Sequence, residues 1–314
     1  MSSLTRTLER GAEPGARIDH AIGNTPLIGL RRIIDVAGPR VLVKVEGLQP
    51  GGSVKARAAR AIVAAAMHSG RLRPGMTLLD ASSGNTGIAY AMLCAAGGFA
   101  CTICMPANAS AERRQLLRAY GATIVSTPPE DGSDGAIREA RRIAAASPDG
   151  VFYADQYGNP ANVRAHEDGT GVEIWQQTEG AVTHFVAGLG TSGTFMGVGR
   201  RLRRCNPRVS LIAVQPDSPF HGIEGLKHMA TAIVPRIYDA ALADRTIEVR
   251  TEAAQAMALR LAREEGLLAG VSGGANVVAA LEVARSAPDD AVIVTVLPDG
   301  GERYLSEPWL RGRP

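Results

Sequence analysis

Short, nearly continuous hydrophobic runs alternate with helix-like segments along most of the chain. TLLDAS (77–82) precedes the alanine-rich NTGIAYAMLCAAGG (85–98), and FACTICMP (99–106) precedes the amphipathic AERRQLLRAYG (111–121). Strands that are hydrophobic on both faces are typical of parallel sheets covered by helices, because a half-exposed strand would alternate with polar residues. The pattern therefore predicts an α/β fold with open, mostly parallel twisted sheets covered by helices.

One region breaks this alternation. The stretch DSPFHGIEGLKHMATAIVPRIYD (217–239) has neither the period of a helix nor that of a strand. An irregular segment of this length inside a compact domain is usually a lid or a binding loop. The full length of 314 residues allows two domains of ordinary size or one large domain.

The composition narrows the function classes. Hydrophobic residues make up 45% of the chain and charged residues 21%, with a net charge of only +3. Aromatic residues make up 4% and are not interleaved with basic ones, so we expect no nucleic-acid binding. We find no apolar run long enough for a secretory signal or a membrane span. We therefore expect a soluble, cytoplasmic protein with no membrane partner.

The four cysteines do not form the pattern of a disulfide framework. Cys101 and Cys104 make a C-x-x-C motif inside the strand-like FACTICMP. Residues three apart on a strand point to opposite faces of the sheet, so these two thiols should not meet. We expect no redox pair here and no metal site in the protein.

Lysine is rare in this chain. Of 34 lysine and arginine residues only three are lysines, namely Lys44, Lys55 and Lys227. A codon bias explains the excess of arginine. A lysine that is present despite this bias either occurs by chance or occupies a position where a guanidinium could not perform the same chemistry. A lysine amine can lose its proton and serve as a nucleophile or a base. Lys55 follows the glycine pair of QPGGSVK and is the candidate for such chemistry, whereas Lys44, within a strand, is interpreted as structural.

Four corners rich in glycine or hydroxyl groups stand where strands end or helices begin. They are SSGNTG (82–87), GLGTSGT (188–194), SGG (272–274) and DGG (299–301). Glycine lets backbone N–H groups turn inward, and a following helix N-terminus adds a positive dipole, so such corners bind anions. Ligands of parallel α/β sheets bind at the carboxyl ends of strands. Together the corners predict an anionic ligand.

The second corner has two interpretations. Gly188, Gly190 and Gly193 match G-x-G-x-x-G, a dinucleotide-binding signature that also needs an acidic residue at the end of the next strand. Asp217 lies near that position, but the strand itself ends in the dipeptide QP. An NAD-binding oxidoreductase stays open as an alternative of a different class. The hydroxyl-rich GTSGT instead suits a phosphate monoester.

Seven motifs occur in the order found in one enzyme family. They are GNTPL (23–27), PGGSVK (50–55), SSGNTG (82–87), QYGNPAN (156–162), GLGTSGT (188–194), EEGLLAGVSGGA (264–275) and PDGGERYLS (298–306). From about residue 18 to 306 the chain resembles the cysteine synthase family of fold-type-II pyridoxal-phosphate enzymes, most closely its cysteine synthase B and O-phosphoserine sulfhydrylase branch. The resemblance implies a tryptophan synthase β-like fold. Its smaller mobile domain would span 48–160, and its larger phosphate-binding domain 1–47 and 161–314.

The resemblance also implies roles for individual residues. Lys55 would carry pyridoxal 5'-phosphate as a Schiff base, and Asn85 would hydrogen-bond the ring hydroxyl. The cofactor phosphate would be held by Gly190, Thr191, Ser192, Gly193 and Thr194. The substrate α-carboxylate would be bound by Ser82, Ser83, Asn85, Thr86 and Gln156. The ring nitrogen would meet Ser272 or Asp299, and the sequence leaves both open.

The implied activity is a β-replacement. An O-activated L-serine, either O-acetylserine or O-phosphoserine, would react through aminoacrylate with a sulfur donor to give L-cysteine, with the cofactor as electron sink. The freed Lys55 amine would remove the Cα proton. The implied partners are the amino acid, a sulfur donor (sulfide or a sulfur-carrier protein thiocarboxylate) and a second copy in a homodimer. Cystathionine β-synthase and 2,3-diaminopropionate synthase chemistry stay as alternatives.

Lys227 bears on the choice of substrate, since it lies in the irregular region 217–239. By its likeness to the phosphoserine branch, it is a candidate ligand for the phosphate of O-phosphoserine. The alternative is a solvated loop cation. The neighbouring His221 and His228 are interpreted as bystanders, and His166 and His184 as structural.

Overall fold

The computed structural model describes residues 17–82 and 84–311, and within these ranges ten strands form two sheets. The strands are β1 (Leu27–Gly29), β2 (Arg40–Val45), β3 (Thr77–Ala81), β4 (Ala100–Pro106), β5 (Thr123–Thr127), β6 (Val151–Tyr153), β7 (His184–Gly188), β8 (Ser210–Pro216), β9 (Arg245–Val249) and β10 (Val292–Leu297). The larger sheet has the order β1-β2-β10-β7-β8-β9, and the smaller one β5-β4-β3-β6. All pairs are parallel except β1 with β2, which confirms the predicted mostly parallel sheets.

Helices cover both sheets. They are α1 (Lys55–His68), α2 (Asn85–Gly97), α3 (Ala111–Ala119), α4 (Gly132–Ala146), α5 (Pro160–Ala165), α6 (Gly171–Gln177), α7 (Gly193–Cys205), α8 (Thr251–Glu265), α9 (Val271–Ala284) and α10 (Pro308–Arg311). On the larger sheet, α8 and α9 pack against one face and α6 and α7 against the other. On the smaller sheet, α1, α2 and α3 share one core and α4 covers the opposite face. Burial on both faces explains why the strands are hydrophobic throughout.

The smaller sheet is formed by residues 77–153, inside the predicted smaller domain of 48–160. The domain boundaries themselves stay a prediction. Its central strand β4 carries the C-x-x-C motif, and Cys101 belongs to the core under α2 whereas Cys104 belongs to the core under α4. The two thiols therefore lie on opposite faces of the sheet, as the strand period predicted.

The segment between β6 and β7 is largely helical. It contains α5, one π-helical turn (His166–Thr170) and α6. Its polar residues His166, Thr170 and Glu173 are buried, so the polar positions do not mark a solvent face and no amphipathic period is visible. π-Turns inside helices frequently occur at functional sites.

A buried charge network anchors the start of α1. The Arg57 guanidinium forms ion pairs with Glu46 (Nε–Oε2 2.7 Å) and Glu173 (Nη1–Oε1 2.6 Å), and Lys44 Nζ lies 2.7 Å from Glu173 Oε2. Lys44 is fully buried, in agreement with its structural interpretation. The network links β2, α1 and α6, and so sets the position of Lys55, two residues before Arg57.

In the described ranges, no helix combines the length and hydrophobicity that crossing a membrane requires. Over the same ranges, no group of three or more His, Cys, Asp and Glu side chains is arranged to hold a metal ion.

Candidate active site

A cavity of about 120 Å³ lies between the two sheets, where β3, β6, β7 and β10 reach their carboxyl ends. The predicted site residues that line it are Lys55, Ser82, Asn85, Thr86, Gln156, Gly190, Thr191, Ser192, Gly193, Thr194, Lys227 and Ser272. Ser83 lies outside the described residues. Asp299 is buried near the cavity but does not line it. Residues far apart in the sequence thus meet at the place where parallel α/β sheets bind ligands.

Lys55 is the first residue of α1 and points its amine at this cavity. Burial lowers the pKa of the amine, while the carboxylates of Asp299 and Glu46 act in the opposite direction. The positive end of the α1 dipole also disfavours the ammonium form. Within residues 17–82 and 84–311, no hydrogen bond or ion pair engages Lys55 Nζ. The site therefore offers a lysine amine that is free to react.

The loop from Gly190 to Thr194 joins β7 to α7 and forms one wall of the cavity. Ser192 adopts a left-handed conformation (φ 66°), which turns the backbone so that N–H groups face inward. In the part of the chain that the structure describes, the N–H groups of Gly190, Thr191, Ser192 and Thr194 make no hydrogen bond within the protein. Unpaired N–H groups at a helix N-terminus form an anion site.

Two glycines keep this loop close to its neighbours. A Cβ on Gly190 would clash with the carbonyl oxygen of Gly225, and a Cβ on Gly193 would clash with the amide of Asn162. Asn162 Nδ2 in turn donates to Thr191 Oγ1 (3.2 Å) and to the Gln156 carbonyl (2.9 Å). These contacts fix the loop against Asn162 and Gly225.

Ser272 and Asp299 were both candidates for the ring nitrogen, and the structure distinguishes their surroundings. Ser272 lies in the first turn of α9 and lines the cavity, and its hydroxyl makes no hydrogen bond within the described ranges. Asp299 Oδ2 already accepts hydrogen bonds from Asn85 Nδ2 (2.7 Å) and Tyr304 Oη (2.8 Å). Asp299 therefore orients Asn85, while the Ser272 hydroxyl is available to a ligand.

Hydrogen bonds within the protein fix the segment 82–87, which is predicted to bind the substrate carboxylate. Ser82 Oγ accepts hydrogen bonds from the N–H groups of Gly84 (3.1 Å) and Gly87 (3.0 Å). Thr86 Oγ1 donates to Gln156 Oε1 (2.7 Å), and Gln156 Nε2 donates to the Ala81 carbonyl (2.6 Å). Thr86 and Gln156, 70 residues apart in the sequence, form one polar surface on the cavity.

A free lysine amine opposite a cradle of unpaired N–H groups fits an aldehyde that carries a phosphate monoester. A model of the family described as pyridoxal-phosphate dependent enzyme matches residues 18–299. The chain belongs to the pyridoxal-phosphate dependent enzymes. The predicted cofactor, pyridoxal 5'-phosphate, is thereby confirmed.

Relatives of this pyridoxal-phosphate enzyme carry the name that the motifs predicted. The chain is 47% identical over 291 residues to a cysteine synthase of Aquifex aeolicus (91% of this chain and 89% of the relative). It is 42% identical to a cysteine synthase B of Pseudomonas aeruginosa (92% and 95%). A crystal structure of cysteine synthase from Entamoeba histolytica superposes with a TM-score of 0.90 at 34% identity (98% and 93%). The resemblance to the cysteine synthase family is confirmed, and so is the predicted fold class.

Lys227 of this enzyme lines the cavity but is not a solvated loop cation. It is 7% exposed, its Nζ lies 3.1 Å from Asp134 Oδ1, and it stacks over the Tyr157 ring at 5.1 Å from the centroid. The irregular region 217–239 thus packs against α4 through this ion pair. A substrate anion that reached Lys227 would compete with Asp134.

The structure adds contacts at two buried side chains of the enzyme, of which the sequence analysis missed Arg113. Arg113 was taken as part of an amphipathic helix, yet it is 4% exposed, lines the cavity, pairs with Glu224 and stacks over Tyr304 (5.1 Å). His166 was interpreted as structural, and it is buried, with its Nε2 3.4 Å from Thr194 Oγ1 at the start of α7. Burial strongly lowers the His166 pKa, so the ring is neutral. No local pattern distinguishes these residues from surface ones.

Proposed function

We propose that this pyridoxal-phosphate enzyme is a cysteine synthase, which replaces the β-substituent of an O-activated L-serine with sulfur to give L-cysteine. The observation that carries the proposal is the free Lys55 amine, which faces the N–H cradle of residues 190–194 across one cavity. The cysteine synthases among its relatives, which share up to 47% of aligned residues, support the same activity.

Different residues of the cavity have different roles in the proposed reaction. When bound, the cofactor supplies an electron sink for negative charge at the substrate Cα. Lys55 would carry the cofactor and would also serve as the base for the substrate Cα proton, which suits an amine whose pKa is lowered by burial. The loop from Gly190 to Thr194 binds the cofactor phosphate. Ser82, Ser83, Asn85, Thr86 and Gln156 bind the substrate carboxylate.

Ser272 is the proposed partner of the ring nitrogen, because its free hydroxyl lines the cavity, whereas Asp299 does not line it and its Oδ2 is engaged by Asn85 and Tyr304. A neutral hydroxyl at this position would leave the ring nitrogen largely unprotonated, a state that would favour β-elimination over transamination. Asp299 acts instead on Asn85, whose Oδ1 also accepts a hydrogen bond from Arg303 Nη1 (2.8 Å). Asn85 is thereby oriented for the cofactor ring hydroxyl.

The sulfur donor, the oligomeric state and the mobile unit are proposed from the family resemblance alone. We propose sulfide as the sulfur donor, with a sulfur-carrier protein thiocarboxylate as the alternative, and a homodimer in the cytoplasm. The mobile unit is proposed to be 48–160, moving against 1–47 and 161–314.

The activity is tested by steady-state kinetics with sulfide held constant and O-acetylserine or O-phosphoserine varied. We expect L-cysteine from at least one of the two substrates and a yellow protein whose visible absorption changes when the amino acid is added. A colourless protein that binds NAD and forms no cysteine would instead support the dinucleotide interpretation of Gly188, Gly190 and Gly193.

Lys227→Ala tests the choice between the two substrates. If Lys227 binds the substrate phosphate, kcat/KM for O-phosphoserine should fall roughly 10–100-fold, the range of a lost charged hydrogen bond, while O-acetylserine changes by less than about threefold. The matched variant Asp134→Asn removes the competing carboxylate (Nζ–Oδ1 3.1 Å) and should improve the use of O-phosphoserine. Equal losses with both substrates would show that Lys227 only stabilises the loop.

A further inference from the structure

Asp80 is a buried carboxyl group directly beneath the proposed substrate subsite. It is the penultimate residue of β3, two positions before Ser82, and its side chain is completely inaccessible to solvent. In the described part of the chain its hydrogen-bond partners are backbone N–H groups, and no cationic side chain forms an ion pair with it. An unpaired buried carboxyl is costly, and it persists where it has a task.

Both oxygens of Asp80 accept hydrogen bonds from backbone. Oδ1 accepts from the N–H of Ala81 (2.8 Å), and Oδ2 accepts from the N–H of Gln156 (3.1 Å). Ala81 and Gln156 are also joined directly, because Gln156 Nε2 donates to the Ala81 carbonyl (2.6 Å). Asp80 thus ties the end of β3 to the segment after β6, the two pieces of chain that carry the substrate-binding side chains.

One further hydrogen bond connects the Asp80–Gln156 contact to the cavity. Gln156 Oε1 accepts the hydrogen bond of Thr86 Oγ1 (2.7 Å), and both side chains line the cavity. The backbone of Gln156 must stay where Asp80 holds it for this pair to form. A shift of the Gln156 backbone would therefore move the Gln156 side chain and break its hydrogen bond with Thr86.

The groups around Asp80 favour its neutral form. Those that interact with it electrostatically are Tyr90 on α2, Cys101 and Cys104 on β4, Tyr153 on β6, and Asp155 and Tyr157 in the following turn. Burial raises the pKa of Asp80 to about 7, against the lowering effect of the Ala81 and Gln156 hydrogen bonds. The Asp155 charge raises it further, and the Tyr90 hydroxyl lowers it. The group therefore titrates near neutral pH.

We propose that Asp80 is a positioning residue whose ionised form holds the amino-acid subsite in its binding geometry and whose protonated form loosens it. The proposal rests on the proposed function, since the subsite is the one that binds the substrate carboxylate. An ionised carboxylate accepts both N–H groups. A protonated one must turn an O–H toward one of them, and a hydrogen bond to the backbone is lost. One buried proton thus sets substrate affinity.

The test is the pH dependence of KM for O-acetylserine, separated from that of kcat, in the wild-type holoenzyme and two variants. In the wild type we expect KM to rise roughly tenfold from pH 8 to pH 6, the size of one charged hydrogen bond, while kcat changes less. Asp80→Asn cannot ionise, so its KM should be high and independent of pH over this range. A merely structural role would lower kcat and raise KM alike at every pH.

Tyr90→Phe is the second variant and keeps the carboxyl in place. Because the Tyr90 hydroxyl lowers the Asp80 pKa, its removal should move the rise in KM to higher pH. A wild-type profile in both variants overturns the proposal, as does a profile that Tyr90→Phe shifts to lower pH. If Asp80→Asn does not fold, the direction of the Tyr90→Phe shift decides.

A failure of the proposed function is recognised separately. If neither serine ester yields cysteine, the dissociation constant of L-serine, measured from the visible absorption of the bound cofactor, replaces KM in the same three proteins. A dissociation constant that rises below pH 7 only where Asp80 is present supports the positioning role. A constant that does not depend on pH overturns it.

Discussion

Lys55→Ala is expected to abolish cysteine formation, with kcat/KM reduced by at least about 10³–10⁴-fold. The variant loses both the group that carries the cofactor and the base for the Cα proton, and a positioned base alone contributes about 10²–10⁴-fold. The measurement is steady-state kinetics of L-cysteine formation with sulfide and the preferred serine ester.

The structure gives the reason why no other lysine substitutes for Lys55. Lys44 is buried and paired with Glu173, and Lys227 is held by Asp134 and the Tyr157 ring. Only Lys55 presents a partner-free amine to the cavity in the described ranges, and burial lowers its pKa. A free amine is the form that attacks an aldehyde.

Two controls separate chemistry from charge. Lys55→Arg keeps a cation but cannot form the covalent link, so it should be as inactive as Lys55→Ala. Lys227→Arg keeps the ion pair with Asp134 and should retain activity with O-acetylserine. After borohydride reduction, peptide mass spectrometry should find the cofactor on Lys55. A label on Lys44 or Lys227 instead would contradict the assignment of the site.

Arg57→Leu is expected to lower the free energy of unfolding by about 3–5 kcal/mol, the cost of leaving a buried ion pair without one partner. Arg57 is 3% exposed and is bound by Glu46 and Glu173 through four hydrogen bonds of 2.6–2.8 Å. Without the guanidinium, Glu46 would keep a buried charge that hydrogen bonds from Thr25 and Gln49 and the more distant Lys44 and Lys55 compensate only in part. The measurement is urea unfolding followed by circular dichroism.

Arg60→Leu is the matched control for this prediction. Arg60 lies one turn further along α1, is exposed and donates only to the backbone carbonyls of Asp19 and Ile22. Its replacement should change the free energy of unfolding by less than about 1 kcal/mol. Similar losses in both variants would mean that the arginines matter for helix α1 in general rather than for the buried network.

The same network predicts a pH dependence of stability. Burial alone would raise the Glu173 pKa, but the hydrogen bonds and charge of Arg57, followed by Lys44, lower it to about 2. A carboxyl whose pKa is lower in the folded state stabilises the fold above its unfolded pKa, near 4.5, and this contribution is lost as the pH falls toward 2. Arg57→Leu should therefore make the free energy of unfolding less dependent on pH between about 5 and 3.

The fold could be predicted where the burial of an element determines the pattern of hydrophobic residues in its sequence. β2, β3, β4 and β10 are buried on both faces, so their hydrophobic runs marked them as parallel strands. The bounds of α5, the π-turn and α6 could not be predicted, because Glu173 and His166 are buried polar residues that imitate a surface. The edge strand β9 was missed because three of its five residues are exposed and the hydrophobic run is short.

The chemistry that the sequence alone determined is the chemistry that only one residue type can perform. A reactive amine requires lysine, and a cradle of backbone N–H groups requires glycine. Lys55 and the loop 188–194 could therefore be recognised from the sequence alone. Asp80, Arg113 and the engagement of Asp299 by Asn85 were decided only by the tertiary structure. Whether a carboxylate or guanidinium is buried, and what it meets there, depends on distant segments that only the folded chain brings together.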